Sequence, residues 1–327
     1  MPETNLMADL ASRFRYYKQA AVSKADRRKD EGTMSTKAVA KKKAGVQLIE
    51  SYVAHASVKR NASAAAIQSA YKIEVRFVKG LNTAQKNAFK AAADRWSRVI
   101  VGDVPSVMVN GEVIDDLLIM AQGVPIDGPG KILGQAGPTH LRPASAGVNA
   151  FLPAKGLMSF DTADLAKMQA DGTLLDVITH EMGHVIGIGT IWPNKGLLVG
   201  AGTGNPTFKG TNAKREYGIL KGTGPVNVPV ENTGGAGTAD SHWRESVFKN
   251  ELMSGFIAAP GNPLSKVTAA SLQDLGYVVD MTGAEPYGLP NLLALAESGL
   301  RAASDMPHAH ALPIFAPATL PDDSLVP

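Results

Sequence analysis

The chain has no cysteine among its 327 residues. This absence excludes disulfide bonds and any metal site built from thiolates, so a bound metal would need nitrogen or oxygen ligands. For the same reason, the redox compartment cannot be inferred from cysteine usage.

The chain also lacks long apolar runs. None approaches the roughly 18 to 20 residues that a membrane-spanning helix requires, so no such helix is predicted. Residues 1–20 carry charge throughout and have no apolar block followed by a cleavage site, so no signal peptide is predicted. With 44% hydrophobic residues, the chain can nevertheless bury at least one full core.

Basic charge is concentrated at the N-terminal end. Residues 1–60 carry 13 Lys and Arg against 6 Asp and Glu, whereas the remainder carries 20 against 24. The clusters Arg27-Arg28-Lys29 and Lys41-Lys42-Lys43 have no aromatic platform beside them, so a nucleic-acid partner is not expected. We interpret residues 1–69 as a basic helical or disordered leader and candidate pro-segment, with 44–56 its most helix-compatible stretch.

The pattern changes at residue 70. Ile73, Val75 and Phe77 alternate with charged residues, which predicts a half-buried strand. Residues 81–101 then predict an amphipathic helix with Thr83 as candidate N-cap, and its apolar stripe consists of Phe89, Ala92, Ala93, Trp96 and Ile100. A further strand is predicted at 115–121, and a hairpin around Lys155-Gly156 within 148–160.

The second half has fewer regular elements. Residues 187–238 are rich in Gly, Pro, Asn and Thr, which predicts loops and turns. Residues 265–275 predict a helix ended by Gly276, and Tyr277 is interpreted as a buried aromatic residue at its end. The proline-rich residues 284–327 predict a flexible tail.

One motif carries recognisable chemistry. The string His180-Glu181-Met182-Gly183-His184 lies in a predicted helix at 171–186, where four-residue spacing puts both imidazoles on one face. The apolar stripe falls on the opposite face and comprises Leu174, Leu175, Ile178, Met182, Val185 and Ile186. Two such histidines can bind one zinc ion, and Glu181 can act as general base on a zinc-activated water.

A catalytic zinc needs a third protein ligand. The remaining histidines are His55, His140, His242, His308 and His310, and the candidate oxygen ligands include Glu216, Glu231 and Asp240. His242 is favoured because Trp243 and the compact segment Glu251-Leu252-Met253 follow it. Spacing alone leaves the other ligands open.

The motif, continued through Gly187, resembles the start of the metzincin zinc-peptidase signature. The usual third histidine would be at position 190, which is Thr190 here. One branch, the leishmanolysin-like peptidases, has a long insertion before that histidine, and this sequence resembles that branch. Ser241-His242-Trp243 and Asn250-Glu251-Leu252-Met253 are similar to the family's third ligand and Met-turn. The resemblance implies that His242 is the third zinc ligand and that Met253 lies beneath the metal.

The resemblance implies an α+β metzincin-like zincin with a twisted mixed sheet and an active-site helix. Residues 70–187 would form the N-terminal catalytic subdomain, and residues 188–283 a loop-rich C-terminal subdomain. The implied function is a zinc-dependent endopeptidase with one catalytic Zn²⁺ and a protein or peptide substrate. Secretion by a route without a signal peptide is the expectation, and oligomeric state stays open.

Two alternatives are kept. One is a zincin of another branch, with a carboxylate such as Glu216 or Glu231 as third ligand. The other is a noncatalytic binding protein that retains the zinc fold. The presence of Glu181 argues against the second alternative, because a scaffold needs no general base.

Overall fold

The computed structural model describes residues 49–56, 70–291 and 316–326, without positions 129, 131, 132, 236 and 258. The described strands are β1 (Glu50–His55), β2 (Lys72–Lys79), β3 (Val107–Val109), β4 (Glu112–Ile114), β5 (Leu117–Val124), β6 (Gly134–Leu141), β7 (Pro153–Asp161), β8 (Leu198–Val199), β9 (Thr207–Phe208), β10 (Val228–Pro229) and β11 (Ala318–Thr319). The described α-helices are α1 (Thr83–Ser97), α2 (Thr162–Asp171), α3 (Leu174–Ile186), α4 (Thr211–Lys221), α5 (Glu245–Phe248) and α6 (Lys266–Leu275). None of the helices in these ranges has the length and apolar character needed to cross a bilayer.

The main sheet has six strands in the order β1-β2-β5-β7-β6-β11. β2, β5 and β7 are parallel, β1 runs antiparallel to β2, β6 runs antiparallel to β7, and β11 runs parallel to β6. The expected mixed sheet with accompanying helices is therefore confirmed, and the fold is α+β and consistent with a metzincin-like architecture.

The first strand and helix form for local reasons. On β2, Ile73, Val75 and Phe77 are buried and alternate with partly exposed residues, as the period of two predicts. The predicted apolar stripe of α1 is buried as well. The N-cap, however, is Asn82 rather than Thr83, since its side chain accepts the Gln85 N–H and Gln85 accepts the Asn82 N–H, each at 2.9 Å.

The main core lies between this sheet and helices α1 and α3. Phe89 of α1 packs edge-on against Phe77 of β2 and Phe160 of β7, with ring centroids 6.1 and 5.8 Å apart. The Trp96 indole N–H donates a 2.9 Å hydrogen bond to the main-chain oxygen of Thr179 on α3. The core thereby fixes α3 against α1.

Two expectations for the leader and the hairpin are wrong. Residues 50–55 form the edge strand β1 rather than a helix, and only Ala54 of that strand is buried, so the alternation is weak. The basic clusters of the leader lie outside the described residues.

Residues 153–161 form one continuous strand instead of turning at Gly156. Gly156 permits close helix packing, because a Cβ there would lie 2.3 Å from Val185 Cγ1.

The tail predicted to be flexible has defined contacts in both of its described parts, residues 284–291 and 316–326. Glu285 accepts two hydrogen bonds from Arg95 of α1, at 2.9 and 2.6 Å. At the other end, β11 pairs with β6, and Leu320 and Leu325 pack against a second apolar cluster. That cluster consists of Val107, Val109, Ile114, Leu118 and Ala154.

Residues 188–283 contain more helix than their composition predicts. Helix α6 begins after its N-cap Ser265 and ends at Gly276, as expected. Helix α4 was not predicted, because the groups that cap it are distant in sequence. Asp274, at the end of α6, accepts the main-chain N–H groups of Asn212 and Ala213, each at 2.9 Å.

Candidate metal centre

Helix α3 carries the His-Glu-x-x-His motif. It ends at Gly187, which has φ of 123° and donates its N–H to the Gly183 and His184 carbonyl oxygens. His180, Glu181 and His184 are only 6%, 5% and 2% exposed, so the face opposite the predicted apolar stripe is covered too. Leu175, assigned to that stripe, is instead 40% exposed. The helix is therefore enclosed by protein on nearly all sides.

The loop after α3 supports His184. The Nδ1 atom of His184 lies 2.9 Å from the main-chain oxygen of Ile188. Thr190, which occupies the position of the usual third histidine, donates its hydroxyl to the His184 carbonyl oxygen at 2.8 Å. Thr190 thus satisfies a carbonyl at the end of the helix, and a third imidazole must come from elsewhere.

The structure brings His242 to the two helical histidines. The Nε2 atom of His242 lies 3.1 Å from that of His180 and 2.9 Å from that of His184. The two helical Nε2 atoms are 3.1 Å apart. Zinc–nitrogen bonds of about 2.0–2.1 Å in tetrahedral geometry would separate such nitrogens by roughly 3.3 Å. The three nitrogens are therefore spaced for one shared ion.

Each of these imidazoles also contacts a main-chain carbonyl oxygen through Nδ1. The pairs are His180 with Leu252 at 2.6 Å, His184 with Ile188 at 2.9 Å and His242 with Thr238 at 2.9 Å. A carbonyl only accepts hydrogen bonds, so Nδ1 carries the proton and the neutral ring keeps its lone pair on Nε2. Burial lowers the pKa of His184 to about 4, which favours the neutral ring. Three converging lone pairs repel one another unless a cation lies between them, so the donor set fits a metal ion.

Glu181 is the carboxylate of the motif. Its Oε2 atom is buried and has no hydrogen-bond partner among the described residues. Burial raises the pKa of Glu181 well above its ordinary value of 4.5. A buried oxygen of this kind is costly unless some group binds to it, and a proton on an incoming water would satisfy it.

Met253 and Gly183 are in direct contact. A Cβ on Gly183 would lie 2.7 Å from Met253 Sδ and 2.9 Å from the Trp96 ring. The Met253 side chain, which is fully buried, therefore packs against α3 within the His-Glu-x-x-His motif. Its position beneath a metal stays a prediction.

The other candidate ligands lie apart from the three histidines. Among the described residues, no carboxylate joins their cluster. Glu231 accepts main-chain N–H groups of Asn232, Thr233 and Glu245, and Glu216 pairs with Arg215.

The remaining predicted residues also lie elsewhere. Asp240 accepts the Gly202 N–H. His55 and His140 lie on β1 and β6, outside the cluster, whereas His308 and His310 lie outside the described residues. Tyr277 is buried, as expected, and its hydroxyl donates to the Ile186 carbonyl oxygen at 2.8 Å.

Two residues near the site were not identified from the sequence. Gly189 lies against the main chain of Ser241. In the sequence it is noticeable only as a second glycine shortly after the motif. Glu251 is completely buried, and its signal was a charged residue inside the apolar segment around Met253.

Comparisons with known proteins bear on the same region. Residues 211–292 match the sequence model of the leishmanolysin family, and this range contains His242 and Met253. The chain is 30% identical to leishmanolysin of Leishmania major over 154 residues, which are 42% of this chain and 24% of that protein.

Similar matches occur to two further relatives. Leishmanolysin of Leishmania tropica is 30% identical over 147 residues, or 42% of this chain and 22% of that protein. A leishmanolysin homolog of Crithidia fasciculata is 29% identical over 136 residues, or 38% of this chain and 20% of that protein. The chain thus spans less than a quarter of the length of these relatives. The matches nevertheless confirm the resemblance to leishmanolysin-like metallopeptidases that the sequence predicts.

Proposed function

We propose that this chain is a zinc-dependent endopeptidase with His180, His184 and His242 as the zinc ligands. One observation carries the proposal: three Nε2 atoms converge at 2.9–3.1 Å while each Nδ1 atom contacts a carbonyl oxygen. Neutral imidazoles held in this way present three lone pairs to one point, which is the donor set of a catalytic zinc site.

A bound zinc ion would supply Lewis-acid chemistry, polarising a peptide carbonyl and lowering the pKa of a water. Glu181 would act as general base, taking a proton from the attacking water on its unpartnered Oε2 atom. The same carboxyl group would then pass this proton to the leaving amine. Burial raises the pKa of Glu181, so the buried carboxylate accepts the proton more readily than an exposed one.

A peptide substrate is supported by the edge of β6. β7 pairs with one side of this strand, whereas β11 pairs with the other side only at His140 and Leu141. Within the part of the chain that the structure describes, no strand pairs with residues 134–139 on that side, which makes this edge a candidate for strand addition. Because α3 packs against β6, a peptide added at this edge would run beside the helix that carries Glu181.

Cleavage of a peptide library by zinc-loaded protein tests the proposal, with Glu181→Gln as the matched variant. The wild-type chain should cleave peptides, and Glu181→Gln should lose roughly 10²–10⁴-fold of that rate, the usual contribution of a general base. Zinc content should be the same in both. Undiminished hydrolysis by the variant would contradict the role of Glu181.

The same experiment addresses the noncatalytic alternative. Zinc-loaded wild-type chain that cleaves nothing in a broad library would favour a binding protein over an enzyme. The carboxylate alternative has little geometric support, because Glu216 and Glu231 are engaged with other groups.

A further inference from the structure

Glu251 is a buried carboxylate beside the proposed metal centre. Its side chain is fully inaccessible to solvent. Its Oε1 atom accepts hydrogen bonds from the Ser265 N–H, the Ser265 hydroxyl and the Thr268 hydroxyl, and its Oε2 atom accepts the Met253 N–H. All four donors are uncharged. A buried charge in such a place is costly unless its oxygens are fully hydrogen-bonded, as they are here.

The first connection from Glu251 leads to His180. The Met253 N–H donates a 2.6 Å hydrogen bond to the Glu251 side chain, which thereby spans Leu252. The carbonyl oxygen of Leu252 lies 2.6 Å from His180 Nδ1. The conformation imposed by Glu251 therefore sets the direction of the carbonyl that fixes the tautomer and the ring orientation of His180.

The second connection leads to His242. Thr268, which donates its hydroxyl to Glu251, accepts the Trp243 indole N–H at 2.8 Å. Trp243 follows His242 directly, and its main-chain N–H donates to the Met253 carbonyl oxygen at 2.9 Å. One carboxylate thus joins the segments that support two of the three histidines.

We propose that Glu251 is a positioning residue that holds His180 and His242 in the geometry required for zinc binding. This inference rests on the proposed zinc centre. An apolar side chain of similar volume would leave the Met253 and Ser265 N–H groups and the Ser265 and Thr268 hydroxyls without this acceptor. The carboxylate is needed because it accepts N–H and O–H donors from two segments at once, the Met253 segment and the start of α6.

Glu251→Gln tests the role with little change in volume. Both carboxylate oxygens accept a main-chain N–H, from Met253 and from Ser265. A glutamine amide therefore leaves one of these N–H groups without an acceptor in either orientation. Loss of an outer hydrogen-bond partner of a metal ligand typically weakens metal affinity about 10–100-fold. Zinc affinity measured by chelator competition should fall by that factor, and the absorption spectrum of the cobalt-substituted protein should change.

Asp161→Asn is the matched control. Asp161 is also a buried carboxylate that accepts main-chain N–H groups, from Ile126 and Ala163, and it lies at the start of α2. Its substitution should lower stability and leave zinc affinity and the cobalt spectrum as in the wild type. Equal loss of zinc affinity in both variants would reduce Glu251 to a general stability role and overturn the proposal.

Thr268→Val is a milder second variant, with which the proposal can still be tested if Glu251→Gln does not fold. It removes the hydroxyl that links Trp243 to Glu251 and should weaken zinc binding several-fold, toward the low end of the roughly 10–100-fold range. Wild-type zinc affinity in Thr268→Val or in folded Glu251→Gln would overturn the proposal. Neither readout uses hydrolysis, so an inactive wild-type chain would count against the proposed function and not against this role.

Discussion

The main chain of Gly189 lies directly against that of Ser241, the residue before His242. A Cβ on Gly189 would stand 2.1 Å from the Ser241 carbonyl oxygen. Gly189 also has φ of 77°, a left-handed conformation that other residues adopt at a cost. The loop after α3 therefore fixes the approach of the segment that carries the third histidine, across an interval of more than fifty residues.

Gly189→Ala should consequently disturb both stability and metal binding. A left-handed alanine alone costs about 1–2 kcal/mol of unfolding free energy, and the collision with Ser241 should add about 1–3 kcal/mol. Zinc affinity should fall about 10-fold as His242 is displaced. Urea unfolding and zinc titration measure the two effects.

Gly196→Ala is the control for that substitution. Gly196 has φ of 62°, but a Cβ there would meet no atom within 4 Å. It should therefore show only the cost of the left-handed conformation and bind zinc like the wild type. Equal effects of the two substitutions would mean that contact with Ser241 is unimportant.

Gly183→Ala should test the packing of Met253 against α3. Alanine favours a helix over glycine by about 1 kcal/mol, but a Cβ here collides with Met253 and with the rigid Trp96 ring. Overpacking typically costs about 1–3 kcal/mol, so we expect a net loss of stability of about 1 kcal/mol. Thermal unfolding gives the sign, with Gly137→Ala as a site where a Cβ meets nothing within 4 Å. A net gain in stability would show that Met253 moves aside at little cost.

The ion pair between Glu285 and Arg95 should make stability depend on pH. Burial raises the pKa of Glu285, but hydrogen bonds from Arg95 and the Leu264 N–H outweigh it, so the pKa lies below its ordinary value of 4.5. Because the pKa of Glu285 is lowered in the folded state, the ion pair stabilises the fold above pH 4.5. This stabilisation is lost as pH falls through the folded-state pKa.

Glu285→Gln should therefore cost about 1–2 kcal/mol of unfolding free energy at neutral pH, discounted for partial exposure. This cost should shrink below pH 4.5, as followed by urea unfolding at several pH values. Asp171→Asn, which removes an exposed pair with Lys167, should show almost no such effect. A cost independent of pH would exclude the ion pair as its origin.

Elements whose signals are local could be predicted from the sequence. The alternation of Ile73, Val75 and Phe77, the apolar stripe of α1 and the end of α6 at Gly276 depend on neighbouring residues alone. The two histidines of α3 have the same local origin. The residues around His242 favour it as the third ligand, but spacing alone leaves five histidines and several carboxylates open, and only the family resemblance singles out His242.

Features set by distant contacts could not be predicted. Helix α4 is capped by Asp274, more than sixty positions away, and Gly156 is small because Val185 packs against it. Glu251 appeared only as part of a compact apolar segment, although three of its four hydrogen bonds come from Ser265 and Thr268 at the start of α6. In each case the local sequence shows one residue of the contact, and only the fold shows which distant residue it meets.

The central claim is that His242 completes a zinc site with His180 and His184. Zinc content after dialysis tests it most directly, comparing wild type, His242→Ala and the control His140→Ala, whose imidazole lies outside the cluster. Wild type and His140→Ala should retain about one zinc ion per chain. His242→Ala should lose more affinity than the roughly 10–100-fold expected for an outer hydrogen-bond partner. Retention of zinc by His242→Ala at the wild-type level would contradict the account.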